Sequence, residues 1–596
     1  MRCKQLILQR ITLIGAQAPV SALLAVATLI ALVTVAISAS AATAQNAQSP
    51  LGIELAGISR WSPEMPFLDI MKANAGWITG NSSTFDTGEE KYLNLDSNGW
   101  PISLTAQSAP SAQRFTSLMV SLLSALPNTP NGYYPAGQYI VLYSGQGTLA
   151  YRGDARLVSR SAGKDVINVA TPTSAGIMIQ LTATDPNRTG NYINNIRLVK
   201  AENAAALNAG QVFNPAFLSK IQNFHMLRFM DWLVTNGSTL SSWSNRPLQT
   251  DAFWGTTKGV PIEVAVQVAN AVSADAWLNV PVMADDNYIT QMATVAHSLL
   301  GSTQKVYVEF SNEVWNTDFP QYQYAVAQGQ ATFASGLGDT FSYGNNWYGM
   351  RVAQTCDIWK SVWGSDANRV VCVLAAQAAQ TFTATSALKC SFWTTGAPCA
   401  GHGIDAVAIA PYFGGKAPAA WTSQADGGLT DIFAALTSQN DPSVPAGGWL
   451  SEISRWEAAY VTALAPYHLP LVAYESGQGF VSFPNGVTST GANTPLTNLY
   501  IAANRDPRMG TAYATYYQQW KANGGQLMNV FSGITPYSQY GEWGALESVM
   551  QTTSPLSSAP PKWQAIQNFI SGGCWWTGCT SALAKTPESP TNLTVH

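Results

Sequence analysis

Val306-Tyr-Val-Glu-Phe-Ser-Asn-Glu-Val-Trp-Asn316 sets a run of β-branched and aromatic residues directly before a polar Ser-Asn-Glu and a tryptophan. Val306–Phe310 reads as a strand buried on both faces, because it is almost continuously apolar instead of alternating. Runs of the same texture lie on the N-terminal side at Leu51–Gly57, Met226–Phe229 and Ala276–Val280. On the C-terminal side they recur at Arg369–Val373, Ala406–Ala410, Leu471–Tyr474 and Leu527–Phe531. The stretches between them, such as Ile262–Val272, Tyr288–Leu300, Asn346–Trp363 and Tyr513–Ala522, are long enough for crossover helices. Eight such strands alternating with helices predict an α/β fold, a (β/α)8 TIM barrel that the helical Pro561–Phe569 closes. Glu64–Asn74, after the first strand, is expected to be a helix as well.

Between the first two strands the texture changes. Tyr139–Tyr143, Arg156–Val158, Val166–Val169 and Ile177–Thr182 are short runs separated by Gly, Asn and Asp turns. This spacing predicts an inserted antiparallel β-sandwich between barrel strands 1 and 2. Within it, Arg152-Gly-Asp154 reads as a plain turn. The expected plan is residues 45–86 for the first barrel strand and helix, 87–200 for the sandwich, 201–570 for the remaining barrel and 571–596 for a Cys-containing tail.

The N-terminus carries Arg2, Lys4 and Arg10 without an acid, then an apolar run from Ala22 to Ile37 and small residues ending in Ala42-Thr43-Ala44. That order is expected of a secretory signal, residues 1–44, and of a secreted (extracellular or periplasmic) protein with no membrane attachment after cleavage. Losing three cations and no acid would move the net charge from −4 to −7. Of seven cysteines, Cys3 leaves with the signal. The remaining six fall as Cys356 and Cys372, Cys390 and Cys399, Cys574 and Cys579. An even number in an exported chain argues for disulfides, with nearest-neighbour pairing the simplest of the possible connectivities. No CxxC, His-x3-His or HExxH spacing exists, so neither a metal nor a cofactor is expected.

Composition narrows the ligand. The 596 residues hold 30 Lys and Arg against 34 Asp and Glu, so there is no basic excess to neutralise a nucleic-acid backbone. Only 11% of residues are charged, yet there are 20 Trp and 23 Tyr. That balance suits a neutral polar partner, a polysaccharide or oligosaccharide. Trp61, Trp232, Trp243, Trp254, Trp315, Trp347, Trp421 and Trp456 are candidate stacking surfaces for sugar rings, although core packing is the expected role for most of them.

Two carboxylates end strands on the rim where barrel enzymes keep their chemistry. Glu313 follows the fourth strand beside Asn312, with Trp315 flanking it; Glu475 ends the seventh, before Ser-Gly-Gln-Gly. Such a pair can flank a glycosidic bond, one protonated to help the leaving oxygen and one ionised to attack or to activate water. Glu309, on the same strand as Glu313, is expected to face a buried polar layer, and Glu542 is a further candidate for sugar hydroxyls. Ser311-Asn312-Glu313 on strand four and Tyr474-Glu475 on strand seven resemble the retaining glycoside hydrolases of clan A, the 4/7 superfamily, in a cellulase-like form. The resemblance covers about residues 50–85 and 201–570. It implies Glu313 as acid/base, Glu475 as nucleophile and Asn312 as partner of the sugar 2-hydroxyl. It further implies Arg228 as the arginine keeping the nucleophile ionised, Tyr412 as the tyrosine bonded to it, and Trp543 as the aromatic floor under the sugar. Several families of the clan carry His after strand three. Here the chain reads Asn279-Val-Pro-Val-Met-Ala-Asp-Asp286, and Asp285 or Asp286 is expected to line the mouth instead.

The expected function is therefore a secreted, endo-acting β-glycoside hydrolase on a cellulose, β-glucan, xylan or mannan type of polysaccharide. The competing reading is a non-catalytic carbohydrate-binding protein, which has no need of an acid and nucleophile pair. An esterase is disfavoured, since no Gly-x-Ser-x-Gly elbow with a plausible histidine is found.

Overall fold

The computed structural model describes residues 46–81, 83–105, 115–124, 132–482, 494–573, 575, 576 and 579. Eight parallel strands close a barrel in chain order: Leu51–Glu54, Met226–Arg228, Asp275–Val280, Val306–Phe310, Val370–Ala375, Ala406–Ile409, Leu471–Ala473 and Met528–Val530. Closure comes from the first and last strands, Leu51 opposite Met528 and Ile53 opposite Val530. Every apolar run picked out above is one of these strands, with its ends shifted by a few residues. They are apolar throughout because both faces are covered. Met226, Trp277, Tyr307, Val373, Ala408 and Val472 fill the interior as a cluster of their own.

Helices follow most strands, and short polar side chains start them. Asp285 accepts from the Tyr288 N–H to cap Asp286–Leu299, and Asp339 accepts from the Ser342 N–H to cap Thr340–Trp363. Asp506 ends Pro495–Arg505 and caps Pro507–Ala522, which begins on a proline whose missing N–H has no role there. Pro561–Ser571 packs against Pro507–Ala522 after the last strand. Among the described residues, no helix is long and apolar enough to cross a membrane.

The helix expected over Glu64–Asn74 is absent. Only a single 3-10 turn forms, Ile70–Ala73, with Asp69 as its cap. Pro63 and Pro66 interrupt the stretch, and Met65 sits at φ 47°, outside helical backbone.

Besides a short pair of strands, Asn94–Leu95 and Pro101–Ser103, the insert between the first two barrel strands contains two four-stranded antiparallel sheets. One runs Ile78–Gly80, Ser117–Leu122, Ile177–Thr184, Gly147–Gly153; the other runs Asn194–Lys200, Gly137–Ser144, Lys164–Val169, Ala155–Ser161. Because Ile78–Gly80 pairs with Ser117–Leu122, the insert starts earlier than the expected boundary at Thr87. Of the expected turn Arg152-Gly-Asp154, Arg152 and Gly153 end the strand Gly147–Gly153, and only Asp154 lies between it and Ala155–Ser161. Hydrogen bonds that tie the insert to the barrel include Leu198 N–H to Asp69 Oδ1 at 3.1 Å, Ser548 Oγ to the Tyr133 carbonyl at 3.1 Å and Ala252 N–H to the Asn98 carbonyl at 2.7 Å.

Cys390 and Cys399 form a disulfide. Cys579 is also disulfide-bonded, whereas Cys574 lies outside the described residues, as does the whole segment 1–44. Cys356 and Cys372 depart from nearest-neighbour pairing and are buried free thiols. They touch each other, but burial pushes the Cys356 thiol well above its ordinary value and keeps it out of the thiolate form that disulfide exchange requires.

The barrel seam is tight at Gly52. A Cβ there would collide with Asn529 Oδ1 and stand 2.9 Å from the Met226 carbonyl. Gly52→Ala is expected to destabilise the chain by about 1–3 kcal/mol through overpacking, read as a lower thermal midpoint. An unchanged midpoint would mean that the seam can yield.

Candidate active site

The C-terminal ends of barrel strands one, two, four and seven converge on a single guanidinium. Arg228, which ends strand two, is 0% exposed, and a buried cation needs partners. All five of its N–H donors have one. Nε and Nη2 donate to Glu309 Oε2 at 3.2 and 2.9 Å, and Nη2 donates also to Asn312 Oδ1 at 2.9 Å. Nη1 donates to Glu54 Oε2 at 2.9 Å and to Glu475 Oε1 at 2.8 Å. The same Glu309 oxygen accepts from Trp277 Nε1 at 2.7 Å and Asn279 Nδ2 at 2.8 Å, which makes Glu309 the buried polar layer expected of it.

Glu475 has an acceptor bond on each oxygen, Arg228 on one side and the Tyr412 hydroxyl at 2.8 Å on the other. That is the environment of an ionised carboxylate. It is 6% exposed. Glu313 is treated differently. Tyr474 donates to its Oε1 at 2.9 Å and Asn316 to its Oε2 at 2.8 Å. Burial and the charge of Glu475 nonetheless push its carboxyl up to about 7. Ser311 and Glu313 stand at φ 64° and 43°, left-handed backbone that non-glycine residues rarely adopt. Asn312 lies between them, 2% exposed, and the Gln321 amide grips its carbonyl at 2.9 Å while Asn312 Nδ2 donates to Asn236 at 3.0 Å. The strand end is thus held in a strained shape by its neighbours.

An aromatic wall stands beside Glu475. The ring of Trp543 lies 5.1 Å from Tyr412 and 5.4 Å from Phe531, and its Nε1 donates to the Tyr540 carbonyl at 2.9 Å. The structure therefore gathers Arg228, Asn312, Glu313, Tyr412, Glu475 and Trp543 into one mouth. Trp315 is half-buried on the loop after strand four, its Nε1 without a partner. Asp286 does not join the cluster: it starts a helix, is largely exposed, and pairs with Arg351 at 3.0 Å. Asp285 is used as the cap of that helix. Glu542 is not a sugar ligand as it stands, being fully buried and pushed up to about 9 by that burial. Four of the eight candidate tryptophans, Trp232, Trp254, Trp347 and Trp421, are buried in the core.

Sequence reasoning missed Glu54, Asn316, Phe531 and Asp231. Glu54 and Phe531 each stand at the C-terminal end of a barrel strand, and the rule that found Glu475 would have found them. Asn316 lay inside the opening stretch. Asp231 gave no signal of its own. Among the described residues, no group of three or more His, Cys, Asp or Glu is arranged to hold a metal ion.

No protein-family profile matches the chain, and no curated protein matches its sequence. Among solved structures it is similar to a 4-O-alpha-L-rhamnosyl-beta-D-glucuronidase from Fusarium oxysporum 12S, at 12% identity and a TM-score of 0.32. That match covers 58% of this chain and 61% of the other, so the chain spans less than two thirds of that neighbour's length. It is also similar to a GH5-4 broad specificity endoglucanase from Clostridium longisporum, at 11% identity, 59% and 85% coverage and a TM-score of 0.32. A Bacteroidetes-affiliated GH5 cellulase matches at 7% identity, with 60% and 86% coverage and the same TM-score of 0.32.

The buried acids set the pH dependence of stability. Burial pushes Asp69 up to about 6, and Asp231 and Glu457 up to about 7, beside Glu313 at about 7. Their unfolded values are near 3.8 for Asp and 4.5 for Glu. Between those limits the folded chain keeps protons that the unfolded chain has released, so stability falls as pH rises through the window. The thermal midpoint is expected to be higher at about pH 5 than at about pH 7.5; a midpoint that rises with pH there would contradict this electrostatic picture.

Proposed function

We propose that the protein is an exported, retaining β-glycoside hydrolase that cleaves β-linked polysaccharide, with Glu475 as nucleophile and Glu313 as acid/base. The observation that carries this reading is the contrast between two neighbouring carboxyls. Glu475 is served by a cation and a phenol, whereas Glu313 is held where burial and Glu475 itself favour its protonated form. One site thus holds an attacking base and a proton donor at once.

In the first step Glu475 attacks the anomeric carbon. The glycosidic oxygen leaves with the proton of Glu313, and a glycosyl ester forms. The negative charge of Glu475 is then consumed, which removes the main neighbour that kept Glu313 protonated. Glu313 next takes a proton from water, and the resulting hydroxide equivalent breaks the ester with net retention. A retaining pair needs its carboxyls roughly 5–5.5 Å apart. Asn312, pinned by Arg228 and Asn236, is suited to hold the sugar 2-hydroxyl, and Trp543 to support the ring face. Export is supported by the basic and apolar N-terminus and by the Cys390–Cys399 disulfide. We infer a cellulose, glucan, xylan or mannan type of chain as substrate and an endo mode of attack.

The deciding experiment is a product assay of residues 45–596 on a panel of β-linked polysaccharides, with Glu475→Gln as control. Sugar release by the wild type and none by Glu475→Gln is expected. Binding without turnover by both would make the protein a carbohydrate-binding one instead. Glu313→Ala is expected to lose less on aryl glycosides whose leaving group needs no proton, and to be rescued by azide as a β-glycosyl azide. Tyr474→Phe removes a donor that favours ionised Glu313. The alkaline limb of kcat/KM should therefore move up by about 0.5–1 pH unit, and a limb moving down would assign it to another group.

A further inference from the structure

One carboxyl in the mouth has no part in that mechanism. Asp231 stands three residues beyond Arg228, on the loop leaving barrel strand two. Its N–H donates to Glu54 Oε1 at 3.2 Å, and its Cβ is 3.7 Å from where a Cβ on Gly57 would lie. It therefore sits between the loops after strands one and two, within electrostatic reach of both Glu475 and Arg228. Asp231 is half-buried, and among the described residues nothing donates a hydrogen bond to its carboxyl oxygens. Arg228 has no donor left for it, since a guanidinium has five and all are taken. Glu54 and Glu64 are both fully buried, and burial pushes their carboxyls well above the ordinary range, so Glu475 is the charged carboxylate that acts on Asp231.

A partly exposed carboxyl beside a nucleophile, unserved by the protein, is an acceptor for whatever occupies the cleft. Sugar hydroxyls are the donors that a glycan offers. A uronic acid offers a carboxylate in place of the C6 hydroxyl, and here it would meet like charges and a cation whose donors are exhausted. We infer that Asp231 is a specificity-determining residue that accepts hydrogen bonds from hydroxyls of the sugar held at Glu475, selecting a neutral unit and excluding a uronic acid. The inference rests on the glycoside hydrolase reading of this same site. Discrimination arises from both arms, a hydrogen bond gained by the neutral sugar and, as Asp231 ionises around pH 7, repulsion imposed on the acidic one.

The test compares wild type, Asp231→Asn and Asp231→Ala on 4-nitrophenyl β-glucoside, β-galactoside and β-mannoside against 4-nitrophenyl β-glucuronide. The wild type is expected to turn over at least one neutral glycoside and to disfavour the glucuronide. Asp231→Asn should lower kcat/KM on the neutral substrate by about ten- to a hundredfold, the range for a hydrogen bond to a charged group. It should also narrow the gap between neutral and acidic glycosides, a ratio that a merely structural role would not move. Preference of the wild type for the glucuronide, or an unchanged ratio in both variants, would overturn the role of Asp231 and leave the enzyme standing. A wild type inert on these glycosides and on every polysaccharide would overturn the proposed function itself, and this inference with it.

Discussion

A guanidinium buried at the end of the second barrel strand is the constraint on which the site depends. A charge taken out of water is costly unless each of its donors is met, and breaking one contact of a buried pair typically costs about 3–5 kcal/mol. Arg228 meets that demand by drawing Glu54, Glu309, Asn312 and Glu475 from strands one, four and seven to fixed points around a planar fork. Because the fork is rigid, the carboxylates it holds are fixed relative to one another. The orientation of Glu475 is thus set by the interior of the barrel together with Tyr412, on the loop after strand six.

The same cluster is unbalanced, and the imbalance divides the labour. One guanidinium faces Glu54, Glu309, Glu475 and, farther out, Glu313 and Asp231. The carboxyls nearest the cation are held in place by its donors, while burial and the charge of Glu475 push up those at the edge. Glu313, pushed up to about 7, is the edge member closest to Glu475. Its left-handed backbone turns the strand end sharply, and the bonds from Tyr474 and Asn316 fix where its oxygens point.

The barrel was legible in the sequence because parallel strands covered on both faces leave continuous apolar runs. Glu313 and Glu475 were legible because they interrupt such runs at their C-terminal ends. What stayed hidden depends on contacts across space. Nothing local shows that Glu54 and Asn279 share a guanidinium neighbourhood 174 residues apart along the chain for Glu54 and Arg228. Asp285 and Asp286 looked like mouth residues by position, but one is used to cap a helix and the other pairs with Arg351. Glu542 looked accessible beside Trp543 until the fold buried it. The Glu64–Asn74 helix failed on two prolines whose effect exceeded the apolar pattern around them.

The insert separates partners that must meet. Glu54 pairs in register with Arg228 only after both antiparallel sheets have been made, and Leu51 meets Met528 only near the end of the chain. One edge of the first strand therefore stays unpaired through most of synthesis. Contacts between such distant segments form slowly and leave intermediates open to aggregation. A chain built this way has good reason to depend on a holding factor until its last strand arrives.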